Sequence, residues 1–89
     1  MAKIIYPDGT TETVSPANGK DFSLEELQKM VEGYIEMIHL HDIVMVINEE
    51  GKLNSLPFNE NATELYRKAF RTSDFIVGNA LICNYNEIN

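Results

Sequence analysis

The chain has 89 residues, 44% of them hydrophobic, and a formal net charge of −7. That length fits one small domain with its own core, and the apolar share argues against disorder. The charge disfavours a general nucleic-acid binder, which needs clustered Lys and Arg against phosphates; the acidic residues are scattered and read first as solubility.

The single cysteine, Cys83, allows no internal disulfide, which fits a reducing, cytoplasmic setting. It lies in an apolar run, where a buried and inert thiol is the default. No run approaches the roughly 18 apolar residues of a membrane span, and Met1-Ala2-Lys3 leads into a strand rather than a signal peptide. Asn61-Ala62-Thr63 matches a glycosylation acceptor, but without a secretory signal the match is chance.

In chain order, Lys3 to Tyr6 reads as a strand. Pro7-Asp8-Gly9-Thr10 is strong turn chemistry, because Pro presets φ, Asp bonds the backbone ahead and Gly takes positive φ. Thr11 to Val14 returns as a second strand, and Ser15 to Asp21 is a loop. The first helix has the clearest start signal: Ser23 as N-cap with Glu26 completing a capping box, and Phe22 and Leu27 at the staple positions. Leu24, Leu27, Val31 and Tyr34 recur at helical spacing, and Gly33 is the expected stop. Tyr34 to Leu40 and Ile43 to Ile47 are strands joined near His41-Asp42. Met45 and Ile47 point to one face of the second of these and Val44 and Val46 to the other, so it is expected at the middle of the sheet.

A second helix is expected from about Asn61, with Asn61 as cap and Asn59 as a rival two residues earlier. Its apolar stripe is Ala62, Leu65, Tyr66, Ala69 and Phe70. Phe75 to Cys83 reads as the last strand, with Gly78 inside it, and Asn84 to Asn89 are expected to fray. The order ββαββαβ predicts a single α+β domain, a mostly antiparallel sheet with two helices packed on it. Two helices can cover one face, the residues on the other are still apolar, and the chain is therefore expected to form a homo-oligomer.

Little of the sequence carries reaction chemistry. His39, His41 and Asp42 stand at a turn, with no Cys or third His to make up the three or four placed ligands that zinc needs. No serine lies in a nucleophile elbow, Cys83 has no evident base, and the glycines form no phosphate loop. The expectation is a protein that is not an enzyme and carries no cofactor or metal. Positive charge, however, gathers after the fourth strand. Lys52 and Asn54 precede the second helix, Asn59, Asn61 and Thr63 stand at its N-terminus, and Thr63, Arg67 and Arg71 follow at i, i+4, i+8. A helix N-terminus is receptive to anions, and Arg binds phosphate or carboxylate bidentately. These seven residues are the expected ligand site, for a small anionic, nucleotide-like molecule. The structural alternative is a capped helix with a solvated basic face.

Several pieces together resemble a bacterial and phage family known as domain of unknown function 3846. They are Leu24-Glu25-Glu26-Leu27-Gln28 with Val31, Gly33-Tyr34-Ile35-Glu36, Asn48-Glu49-Glu50-Gly51-Lys52-Leu53, Pro57, Asn59 with Ala62-Thr63, and Asp74-Phe75-Ile76-Val77-Gly78. Glu32 stands where that pattern has a second Gly, and Asn54-Ser55 where it has Lys-Gly. The resemblance implies a small cytosolic module of phages, plasmids and Gram-positive hosts, at times near anti-restriction genes; the family name supplies no activity. By analogy, the expected role is anti-defence by sequestering a nucleotide-like ligand. The alternative is an acidic surface that imitates DNA and inhibits a host defence or DNA-binding protein.

Overall fold

The computed structural model describes residues 2–88. Strand β1 (Ala2–Ile5) pairs with β2 (Thr11–Val14) across the expected turn, where Asp8 Oδ1 accepts from the Thr10 N–H at 2.9 Å. Helix α1 (Leu24–Val31) starts at the predicted box: Ser23 Oγ accepts from the Glu26 N–H at 3.1 Å, and Glu26 Oε1 accepts from the Ser23 N–H at 2.8 Å. The second Glu26 oxygen accepts from the Ala17 N–H at 2.9 Å, tying the preceding loop to the helix. These bonds, the Ser23 N–H foremost, hold the Glu26 carboxyl below its usual range.

The end of α1 departs from expectation by one residue. Glu32, not Gly33, takes the left-handed cap, with φ 64°, and its N–H donates to the Gln28 carbonyl. Gly33 answers a different need: a Cβ there would lie 2.7 Å from Asn48 Nδ2. That amide donates to the carbonyls of Val31 at 3.1 Å and Glu32 at 3.4 Å, so it closes the helix end from outside. Ser55 is also left-handed, with φ 55°. Glycine would suit the backbone at both Glu32 and Ser55.

Strands β3 (Ile35–Leu40) and β4 (Ile43–Asn48) form the second hairpin; helix α2 (Glu60–Phe70) and strand β5 (Ala80–Asn84) follow. All pairings are antiparallel, and the five-stranded sheet runs β2-β1-β5-β4-β3. The predicted order ββαββαβ and the α+β class hold. The middle position does not go to β4, as its two apolar faces suggested; β5, equally apolar, inserts between the two hairpins, with Lys3 opposite Ile82 and Met45 on its other side.

The helices lie on opposite faces. Under α1, Phe22, Leu27 and Val31 pack with Val44, Val46 and Leu81. Under α2, Ala62 and the partly buried Tyr66 and Ala69 pack with Leu40, Met45 and Ile47. Leu65 and Phe70, expected in the α2 stripe, are exposed, and Thr63 is buried instead. The expectation of a homo-oligomer rested on two helices sharing one face; each face carries its own helix, so that premise does not hold.

Two further corrections concern the C-terminal third. Residues 75–79 are not strand: they form an irregular strap in which Val77 bridges Phe58 and Gly78 takes φ 76°, and the ladder begins only at Ala80. The tail from Asn84 does not fray. Tyr85–Glu87 form a 3₁₀ turn, Glu87 is buried, and its carbonyl accepts from the Phe22 N–H at 2.8 Å. Asn89, included in that expectation, lies outside the described residues. Among the described residues no helix is long and apolar enough to cross a membrane.

Helix α2 is capped by Asn59, the rival position, and not by Asn61. Asn59 is fully buried; its Oδ1 accepts from the Ala62 N–H at 3.1 Å, while Nδ2 donates to the carbonyls of Ile5 at 2.9 Å and Gly78 at 2.8 Å. Asn59→Ala removes a cap and strands two buried carbonyls, so it should cost about 2–4 kcal/mol in urea unfolding. Asn61→Ala, on the exposed side, should stay within about 0.5 kcal/mol. Equal costs would show that the helix starts at Asn61. Glu32→Gly should raise stability by about 0.5–1 kcal/mol, the relief of a left-handed residue less the entropy glycine brings to the unfolded chain. A lower melting temperature would show that the Glu32 side chain makes a stabilising contact.

Candidate functional site

The side of α2 that carries Thr63 and Arg67 was expected to face a ligand. It faces residues 73–76 of its own chain. Thr63 is buried, and its hydroxyl accepts from the Ile76 N–H at 2.9 Å and donates back to the Ile76 carbonyl at 3.3 Å. One turn on, Arg67 donates from Nε to the Asp74 carbonyl at 2.8 Å and from Nη2 to the Ser73 carbonyl at 3.0 Å. The Lys52 ammonium pairs with the Asp74 carboxylate and lies 4.5 Å from the centre of the Phe75 ring. The Asp74 carboxyl is held below its usual range, first by that lysine and then by the Phe75 N–H at 2.8 Å. Lys52 and Arg67 therefore converge on Asp74, and Lys52 and Asp74 line a cavity of about 120 Å³.

The other expected residues disperse. Asn59 is the buried clamp described above. Asn54 lines a separate cleft of about 340 Å³, with Glu32, Tyr34 and Glu50. Arg71 is not on the helical ladder: it is the left-handed C-cap of α2, φ 50°, and its exposed side chain leaves the series begun by Arg67. Asn61 stays on the surface, in the first turn of α2, where backbone N–H groups lack helical acceptors.

Asn61 stands instead with residues that sequence spacing did not group with it. A groove of about 260 Å³ runs between α2 and the β1–β2 hairpin, lined by Asn61, Glu64 and Lys68 on one side and Lys3 and Thr11 on the other. Ile5 and Leu65 complete its lining. Strand alternation makes this arrangement: Ala2 and Ile4 point under α1, which sends Lys3 and Ile5 to the α2 face, opposite Thr13 and Thr11. Helical spacing brings Asn61, Glu64 and Lys68 to one flank. Among the described residues, neither Lys3 nor Lys68 has an ion-pair partner. Two ammonium groups thus face one carboxylate, Glu64, in a chain whose net charge is −7. The one signal available in the sequence was the alternation of β1, which fixes the face of Lys3 but not which helix lies over it.

The remaining reactive side chains have structural surroundings. His39 stacks on Tyr85 with ring centres 5.4 Å apart, and the Tyr85 hydroxyl donates to the His41 carbonyl at 2.9 Å. Burial pushes the Cys83 thiol up to about 11, so it stays protonated and weakly nucleophilic at neutral pH.

The sequence pattern of the family described as Domain of unknown function (DUF3846) matches residues 2–89. Neither the curated proteins nor the solved structures contain a match to this chain. The family pattern spans both hairpins, both helices and the central strand, and the chain belongs to this DUF3846 family.

Proposed function

We propose that the chain is a non-catalytic binding module that captures a small anionic, nucleotide-like ligand in the groove between α2 and the β1–β2 hairpin. One observation carries this reading: Lys3 and Lys68 are ammonium groups without ion-pair partners among the described residues, and they flank a groove that also holds apolar Ile5 and Leu65. A phosphate bridging the two lysines displaces no internal partner, unlike one at Lys52 or Arg67. Asn61 and Thr11 supply donors and acceptors for ribose hydroxyls or base edges, and the Leu65 side chain offers apolar area to a base. The proposal keeps anion capture from the expected function; of the seven expected residues, Asn61 lines this groove. The resemblance to modules of phages and plasmids extends the proposal to anti-defence, with a host signalling nucleotide held out of circulation in the cytoplasm.

A second reading has its own support. The carboxylates of Glu32 and Glu50 line the cleft beside the exposed Tyr34, and those of Glu36 and Glu49 line the cavity on the other side of Asn48. Such a surface suits a Lys- and Arg-rich partner, as in an inhibitor of a host DNA-binding or defence protein.

A thermal-shift and calorimetry panel of mono-, di- and cyclic nucleotides separates the two. A ligand at one hundred times its Kd should stabilise the protein by about 2.7 kcal/mol, a shift of several degrees. Lys3→Ala with Lys68→Ala should abolish that shift and leave the unligated melting temperature nearly unchanged, whereas Arg67→Gln should keep the shift. Full binding by the double variant would remove the groove from consideration. No response to any nucleotide, together with a complex to a basic DNA-binding domain that Glu32→Gln with Glu50→Gln dissolves, would install the second reading.

A further inference from the structure

The cavity beneath the strap carries an inference independent of the groove. Its walls include Ile38, Ile47, Tyr66, Ile76 and Val77, and its volume of about 120 Å³ is on the order of one aromatic ring. At its mouth the Asp74 carboxylate receives the Lys52 ammonium and the Phe75 N–H, and the Arg67 guanidinium adds its field from the carbonyls of residues 73 and 74. A complete anion-binding arrangement is thus assembled around a side chain of the protein itself.

The strap does not depend on that carboxylate for its position. Its inner part is fixed by the paired bonds between Thr63 and Ile76, by the Asn59 N–H to the Ile76 carbonyl at 2.9 Å, and by the Gly78 N–H to the Pro57 carbonyl at 2.7 Å. The Lys52 and Asp74 side chains are 48% and 46% exposed, so water and solutes reach the pair, and such pairs hold weakly. We propose that this cavity is a binding site for a compound with one anionic group on an apolar body: the anionic group takes the place of the Asp74 carboxylate at Lys52, and the body enters between Tyr66, Ile38 and Ile47. Asp74 is then a built-in competitor that keeps the lysine oriented over Phe75 and sets a threshold concentration for the ligand. Glu36 and Glu49 also line the cavity and oppose anions away from Lys52, which disfavours a ligand with a second anionic group.

Phenyl phosphate is the probe, followed by calorimetry and by methyl NMR of Ile38 and Ile47. Asp74→Asn removes the competitor and should tighten binding several-fold, while Lys52→Gln removes the charged donor and should weaken it about tenfold. Opposite signs for the two halves of one ion pair are what a purely structural pair would not give. Effects of the same sign, or no effect of Asp74→Asn, would overturn the proposal. So would inorganic phosphate binding as tightly as phenyl phosphate without perturbing the Ile38 and Ile47 methyls. Lys52→Met serves in place of Lys52→Gln if the latter unfolds. Lys3→Ala with Lys68→Ala should bind phenyl phosphate as the parent does, and loss of binding there would assign the signal to the groove.

Discussion

One side-chain amide, that of Asn59, holds three separate pieces of the chain. It starts α2 at the Ala62 N–H, fixes the end of β1 at the Ile5 carbonyl, and fixes the strap at the Gly78 carbonyl. All three contacts are buried, so separating any one piece leaves a polar group unmet at a cost. The same chemistry recurs around α1. Asn48 meets the carbonyls of Val31 and Glu32, and Asn79 donates to the Met30 carbonyl at 3.0 Å. Where loops cross too irregularly for a ladder, amides with two donors and one strong acceptor complete the backbone bonding. Among the described residues, no buried side-chain nitrogen or oxygen lacks a partner.

What the sequence disclosed and what it hid follow from the range of the interactions. The Ser23 box, the turn at Asp8 and the two hairpins rest on neighbours within a few residues, and they stand where spacing put them. The strap was hidden because Phe75 to Val77 is as apolar as a strand; it is held off the ladder by Thr63 and Asn59, more than a dozen residues away. The two-faced apolar strands were legible as buried but not by what. Connectivity decides that: α1 joins β2 to β3, the two edges of the sheet, and so crosses one whole face, while α2 links the adjacent β4 and β5 over the other. The basic residues of α2 were seen as a cluster, yet their directions depended on the strap. Lys3, far from them in sequence, was not associated with Asn61 and Lys68 at all.

The cations in this acidic chain accordingly fall into two kinds. Lys52 and Arg67 are oriented by the chain's own oxygens, which makes them well placed and partly neutralised. Lys3 and Lys68 are exposed, line the groove, and have no ion-pair partner among the described residues. A weakly held diffusible anion meets less competition at the second kind, whereas selectivity is easier to build at the first, where geometry precedes the ligand. The exposed carboxylates around Asn48 add repulsion on the side away from the groove.

The place of β5 bears on how the protein comes into being. Each hairpin closes over a few residues, but the strand that joins them occupies residues 80–84, and its partner Lys3 lies at the opposite end of the chain. A nascent chain cannot form the common sheet until residues 80–84 have left the exit tunnel. Until then the inward edges of β1 and β4 stay unpaired, and both helices lack their full floor. Joining the two hairpins therefore waits on a pairing of long sequence separation, with the unpaired edges the hazard of the interval.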